Sequence, residues 1–264
     1  MKSILAHRVR SATRWVLHQP SILSLRRRYP RLIAFVANRF NTKLFVGLPL
    51  TLVLVAVAIN LVLLSSLTES VVESEWVVVV DKQFTSLLYN ARTEWLSKLF
   101  YAITQLGSQL AVFIIGAVAT AIFLVRKKWI ALLAFWLPLA GTGLSVRYGK
   151  TIISRERPAD VAYYAVEHFS FPSGHSTTAI VLFGMLAFFL YRHFHKPLLR
   201  KLCVGVAAVI ILLVCFSRIY LGVHYLSDVL AGLLLGACWL LVSISIMEVL
   251  MYRKRKQAAK SGAA

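Results

Sequence analysis

Residues 229–247 read VLAGLLLGACWLLVSISIM, nineteen in succession without Asp, Glu, Lys or Arg. As a helix rising ~1.5 Å per residue this run covers ~28 Å, close to the ~30 Å hydrocarbon core of a bilayer. Two kinds of chemistry bracket it: His224 and Asp228 come before, and the basic cluster Arg253 to Lys256 follows. Five more charge-free, apolar stretches occupy 44–67, 99–125, 129–146, 176–191 and 202–217. The pattern predicts an all-α, polytopic membrane protein with six transmembrane helices. The 16-residue runs at 176–191 and 202–217 are short for a span, so flanking residues must extend them or one end must stop inside the bilayer boundary.

Composition points the same way. Of 264 residues, 59% are hydrophobic and 15% charged, whereas soluble domains carry about a quarter charged residues. The net charge of +20, from 30 Lys and Arg against 10 Asp and Glu, has the sign of a nucleic-acid binder. That footprint requires a basic soluble domain, which the hydropathy excludes, so no nucleic-acid partner is expected. Cys203, Cys215 and Cys238 sit in apolar runs without C-x-x-C spacing, which supports neither a disulfide framework nor a thiolate metal site.

Sorting charge by loop gives an orientation. One set of faces holds 22 basic residues and Glu248; the other holds eight basic and nine acidic residues. By the positive-inside rule both termini are expected in the cytoplasm and the polar loops outside. The expected organisation is a basic cytoplasmic tail over 1–43, a membrane domain over 44–252 and a second basic tail over 253–264. The first tail carries Lys2, Arg8, Arg10, Arg14, Arg26, Arg27, Arg28, Arg31, Arg39 and Lys43 with no acid, and offers no apolar core of a cleavable signal. An organellar transit segment shares that composition. Leu32, Ile33, Val36 and Phe40 predict a short helix on the membrane surface, against the simpler reading of a solvated tail.

In the first outer segment, 68–98, Phe84, Leu87, Leu88, Ala91, Trp95 and Leu99 recur at helical spacing with Asp81, Lys82, Arg92 and Glu94 off the stripe. This predicts one amphipathic helix at the interface, either shaping a lipid entrance or simply packing. Gly232 and Gly236 form a small-xxx-small pair suited to helix packing.

Three polar clusters lie at the outer ends of the last four runs, where charge is expensive to place. They are Lys150-Thr-Ile-Ile-Ser-Arg-Glu-Arg157-Pro158, Pro172-Ser173-Gly174-His175, and Ser217-Arg218 through His224 to Asp228. Lys150, Arg157 and Arg218 supply three cations for phosphate oxygens. Lys150 and Arg157, seven apart, share a face if their segment is helical. Ser173 and the backbone N–H groups after it can face an anion at a helix start, with Gly174 allowing close approach. His224 and Asp228, four apart, pair an imidazole with a carboxylate, leaving the other ring nitrogen as a base or nucleophile. His175 is a second imidazole suited to protonating a leaving oxygen. His193 and His195 fall on the opposite face, within a basic loop, and no cluster has a metal ligand pattern.

The clusters resemble the signature K-x6-RP, PSGH and SR-x5-H-x3-D of the type 2 phosphatidic acid phosphatase superfamily, matched without departure over residues 150–228. The resemblance implies a two-step phosphoryl transfer that needs no metal or cofactor. His224 would attack phosphorus to form a phosphohistidine, Asp228 would orient it and His175 would protonate the leaving group. Lys150, Arg157, Ser173, Gly174 and Arg218 would bind the phosphoryl oxygens. It also implies a phosphorylated membrane lipid as substrate, at the outer surface of a bacterial inner membrane. Undecaprenyl diphosphate, phosphatidylglycerophosphate and phosphatidic acid all fit, the first slightly preferred. Lipid-to-lipid phosphotransfer at the same site, and non-enzymatic lipid binding or transport, are the alternatives.

Overall fold

The computed structural model describes the chain apart from residues 1–7, 9, 10, 13, 14, 17, 43, 74, 159 and 262–264. Lys2, Arg10, Arg14 and Lys43 of the basic tail therefore lie outside the described residues. Among those described there is no strand, and the bounded elements are ten α-helices and one 3-10 turn. The α-helices are α1 (Pro20–Arg28), α2 (Pro30–Arg39), α3 (Leu48–Glu73), α4 (Glu75–Asn90), α5 (Glu94–Thr104), α6 (Gln109–Val125), α7 (Trp129–Ile153), α8 (Gly174–His193), α9 (Pro197–Tyr220) and α10 (Leu226–Ser261).

The chain divides into two compact units, residues 1–58 with 245–264, and residues 59–244. In the first, α1 and α2 each begin at a proline, which suits the first helical position because its missing N–H has no intrahelical partner there. The helix expected around Leu32 to Phe40 is α2; Leu32, Phe35 and Val36 are exposed on it, as is Phe40 at its C-cap. Arg39 reaches forward to the Val46 carbonyl at 3.3 Å. The C-terminal basic cluster is helical too, since α10 continues to Ser261.

Helices α3, α7, α8, α9 and α10 are each long and apolar enough to cross a membrane. A sixth crossing requires α5 and α6 to count together, bent by 47° around the 3-10 turn at Gln105–Gly107. The charge-free stretch at 99–125 is thus not the single helix its composition suggested. The break has a packing role: a Cβ on Gly107 would lie 2.8 Å from Val214 and 3.0 Å from the His175 carbonyl, so the turn presses against the start of α8. The two short runs are extended by their flanks to 20 residues in α8 and 24 in α9, enough to span the hydrocarbon at ~1.5 Å per residue.

The second unit is built on α8 packed along α9, with α7 against α8 and α5 against α9. α10 approaches α8 closely through small residues. A Cβ at Gly236 would sit 2.2 Å from Ile180, and one at Gly232 2.6 Å from the Ser173 carbonyl, so the glycine pair sets how near α10 comes to the polar turn. Pro138 inside α7 removes the N–H that would have bonded the Ala134 carbonyl. The Ser243 hydroxyl of α10 donates to that carbonyl at 2.5 Å instead, the substitution a membrane interior demands of a freed backbone acceptor. Ser243→Ala is expected to cost about 1 kcal/mol, seen as a lower thermal midpoint in detergent. The loss should largely vanish in a Pro138→Ala background; an undiminished loss there would refute the pairing.

The amphipathic helix expected across 84–99 is two helices, α4 and α5, separated at Ala91 to Thr93. Its stripe also splits. Phe84 and Leu88 pack against the Cys215, Ile219 and Val229 cluster, while Leu87, Trp95 and Leu99 are exposed. The buried line of α4 runs through Val77, Asp81 and Thr85, so Asp81, assigned to the polar face from its charge, points inward. Arg92 is structural: it donates to the carbonyls of Tyr220 at 2.8 and 3.1 Å and of Val161 at 2.7 Å, tying the connection after α7 to the end of α9.

Candidate active site

The C-terminal ends of α7 and α9 and the N-terminal ends of α8 and α10 meet at one end of the second unit, and the three clusters lie there. α7 stops at Ser154, whose backbone is left-handed (φ 48°). Arg157 is consequently in the following loop, not on the helix, and the shared helical face expected for Lys150 and Arg157 does not arise. A common acceptor brings them together instead: Lys150 Nζ donates to the Phe169 carbonyl at 2.5 Å and Arg157 Nη2 to the same oxygen at 3.3 Å. Arg157 also donates to the carbonyls of His168, at 2.5 Å, and Val223. Burial and the neighbouring Arg218 charge bring its pKa down to about 10, so it stays cationic at neutral pH.

Ser173 caps α8 by position but not through its side chain. Its hydroxyl accepts from Ser176 Oγ at 3.0 Å and its carbonyl from Thr177 Oγ1 at 2.8 Å, leaving the first-turn N–H groups of α8 without a side-chain cap, the usual makings of an anion site. The Ser173 N–H bonds the Asp228 carbonyl at 3.0 Å, fastening α8 to α10. A Cβ at Gly174 would meet only Val146, at 3.5 Å, so protein packing does not require glycine there. His175, one residue into α8, lies in the field of Arg218, His224, Lys150 and Arg157.

Arg218 is buried on α9. It donates through Nη1 to Thr104 Oγ1 at 2.8 Å and to the Tyr164 hydroxyl. Its Nε is buried without an acceptor, which marks a donor directed at something other than the protein.

His224 precedes α10, so it and Asp228 are not two residues of one helix as the i, i+4 spacing suggested. Asp228 in the first turn reaches back, accepting the Tyr225 N–H at 2.9 Å in the manner of a capping box and facing His224 Nδ1 at 3.4 Å. The other ring nitrogen, Nε2, is 3.3 Å from Arg157 Nη1. A guanidinium can only donate, so Nε2 carries the lone pair and the ring proton sits on Nδ1 toward the carboxylate. His224 is 2% exposed; burial, then the charges of Arg218, Arg157 and Lys150, hold its pKa well below the ordinary value. The imidazole is neutral at pH 7, with a nucleophilic nitrogen among cations.

All eight residues expected from the sequence are accounted for at this end of the unit. The structure adds Asp81, Arg155 and Ser227, joined in one buried network with Asp228, and Thr104 and Tyr164, which hold Arg218. Arg155 stood within the first cluster, two residues before Arg157, but its spacing to any partner gave no role. Burial would lower its pKa, yet Asp228 and Asp81 beside it raise it above the ordinary value. Among the described residues no group of three or more His, Cys, Asp or Glu is placed to hold a metal ion.

Residues 127–252 match the family described as the PAP2 superfamily. Phosphatidylglycerophosphatase B of Bacillus subtilis is 34% identical over 183 residues, covering 67% of this chain and 88% of the relative. The chain belongs to the PAP2 superfamily. A second PAP2-type relative, the lipid A 4'-phosphatase of Porphyromonas gingivalis, is 26% identical, covering 64% of this chain and 66% of the relative. The crystal structure of a transmembrane PAP2-type phosphatidylglycerolphosphate phosphatase from Bacillus subtilis superposes with a TM-score of 0.65 at 30% identity, over 71% of this chain and 93% of that one. The named relatives are lipid phosphatases, and the all-helical architecture of this chain is the one that superposes on the transmembrane PAP2-type structure.

Proposed function

We propose that this chain hydrolyses the phosphomonoester or diphosphate headgroup of a membrane lipid through a phosphohistidine on His224. The observation that carries the reading is the placement of that ring: Nε2 lies 3.3 Å from Arg157 Nη1, and Nδ1 lies 3.4 Å from Asp228 Oδ2. In the first step Nε2 attacks phosphorus and the lipid oxygen leaves, taking a proton from His175. In the second a water attacks the phosphohistidine, gives a proton to His175 and releases inorganic phosphate. Lys150, Arg157, Arg218 and the N–H groups after Ser173 hold the phosphoryl oxygens, neutralising charge where phosphoryl transfer needs it. All these groups are side chains or backbone of this chain, so the cycle requires no metal or cofactor.

The site lies at the ends of membrane helices, which suits a substrate whose tails stay in the bilayer. Phosphatidylglycerophosphate and phosphatidic acid join undecaprenyl diphosphate as candidate substrates, and the named activity of the Bacillus subtilis relative favours the first. The charge distribution supports cytoplasmic termini and a site facing the outside of a bacterial inner membrane. Purified protein in detergent with excess EDTA, offered all three lipids, should release inorganic phosphate. Loss of turnover in EDTA would refute the metal-free cycle, and phosphate appearing on a second lipid instead of in solution would indicate phosphotransfer. A reporter fused after Lys260 that read from outside the cell would overturn the sidedness.

A further inference from the structure

One charged group behind the site comes from none of the three clusters. Asp81, on α4, is 2% exposed, and both its oxygens are engaged. Oδ1 accepts the Ser227 backbone N–H at 3.0 Å; Oδ2 accepts Arg155 Nη2 at 2.7 Å and the Ser227 hydroxyl. Arg155 divides its guanidinium, giving Nη2 to Asp81 and Nη1 to Asp228 Oδ1 at 2.6 Å and Ser227 Oγ at 2.7 Å, with its Cζ 4.4 Å from the centre of the Tyr225 ring. Arginine facing a single carboxylate commonly grips both oxygens with a parallel fork. Here Asp81 occupies one arm. Asp228 therefore yields only Oδ1 to the guanidinium and keeps Oδ2 for the Tyr225 N–H and His224 Nδ1.

We propose that Asp81 is a positioning residue for the phosphoryl transfer: by holding one arm of Arg155 it keeps Asp228 Oδ2 turned toward His224. Two carboxylates share one guanidinium, so a net negative charge remains behind the imidazole. That is the sign required as Nε2 bonds to phosphorus and the ring, still protonated on Nδ1, becomes cationic. Without Asp81, the freed Nη2 can close on Asp228 and draw its second oxygen away from the ring.

The inference rests on His224 as the nucleophile, and the test separates the two. Asp81→Asn, Asp228→Asn and the double variant are assayed in detergent on phosphatidic acid. Asp81→Asn is expected to lower kcat by about 10- to 100-fold, with KM and inhibition by inorganic phosphate unchanged within about twofold, because Lys150, Arg157 and Arg218 are untouched. In the Asp228→Asn background the same change should have almost no further effect, since Asp81 acts through Asp228. Should Asp81→Asn not fold, Arg155→Lys carries the test: a single ammonium nitrogen cannot reproduce the separate Nη1 and Nη2 arms that reach Asp228 and Asp81, and the same kcat-selective, non-additive loss is expected. Wild-type kcat, a raised KM, or an equal loss in both backgrounds would overturn the proposal. An active His224→Ala would sink the underlying mechanism, whereas an inactive one beside a fully active Asp81→Asn would sink only this inference.

Discussion

His224→Ala is expected to reduce turnover by about 10⁴-fold while leaving substrate binding and inhibition by inorganic phosphate near wild type. The division follows from what anchors each cation. Lys150 is held by the Phe169 carbonyl and Arg218 by Thr104 and Tyr164, so deleting the imidazole leaves the phosphate-binding charges in place. What disappears is Nε2, whose lone pair faces Arg157. Wild-type protein quenched in mid-turnover should yield an acid-labile phosphoenzyme, and the alanine variant none. Retention of activity would shift the nucleophile to His175. The ring also bears on acid stability. Folded, its pKa lies well below 6.5, so as pH falls below about 6.5 the unfolded state takes up a proton that the folded state refuses, and stability declines. His224→Ala should remove that increment, read as a flatter dependence of the thermal midpoint on pH between 7 and 5.

The membrane helices were legible because hydropathy reports burial in lipid directly. The residues flanking them were legible because Lys150, Arg157, Ser173, Gly174, His175, Arg218, His224 and Asp228 stand at spacings that apolar packing does not require. Periodicity is blind to what happens where a helix stops. The seven-residue interval from Lys150 to Arg157 spans the left-handed Ser154, and both side chains meet at the Phe169 carbonyl nineteen residues beyond Lys150. Asp81 was misread for a related reason. On a stripe defined by Phe84, Leu87 and Leu88 a carboxylate belongs to the wet side, but the face that packs inward is Val77, Asp81 and Thr85. A buried acid is affordable there only because Arg155 and Ser227, 74 and 146 residues away, satisfy it. Pairing at that range leaves no trace in local pattern. The kink between α5 and α6 was hidden likewise: Gly107 and Ser108 lie inside a charge-free run, and only the packing of Gly107 against His175 shows why the chain turns there.

Arg157→Lys should be the most damaging conservative change in the site, lowering kcat/KM by about 10³-fold with a clear rise in KM. Arg157 makes four contacts at once: the carbonyls of His168, Phe169 and Val223, and His224 Nε2. The four acceptors lie on two loops, two on each, so this one guanidinium fastens the connection before α8 to the turn that carries His224. An ammonium keeps the charge but has a single donating atom, and cannot span these acceptors or clasp two phosphoryl oxygens. Two losses therefore combine: weaker binding of phosphate, and an imidazole no longer held against the phosphorus, where a displacement of ~1 Å costs about 10²-fold. Kinetics separate this outcome from that of His224→Ala, because inhibition by inorganic phosphate should weaken about tenfold in Arg157→Lys and stay unchanged in His224→Ala. Near-normal kcat/KM in Arg157→Lys would mean that positive charge alone suffices at this position and that the Val223 and His168 contacts do not position the nucleophile.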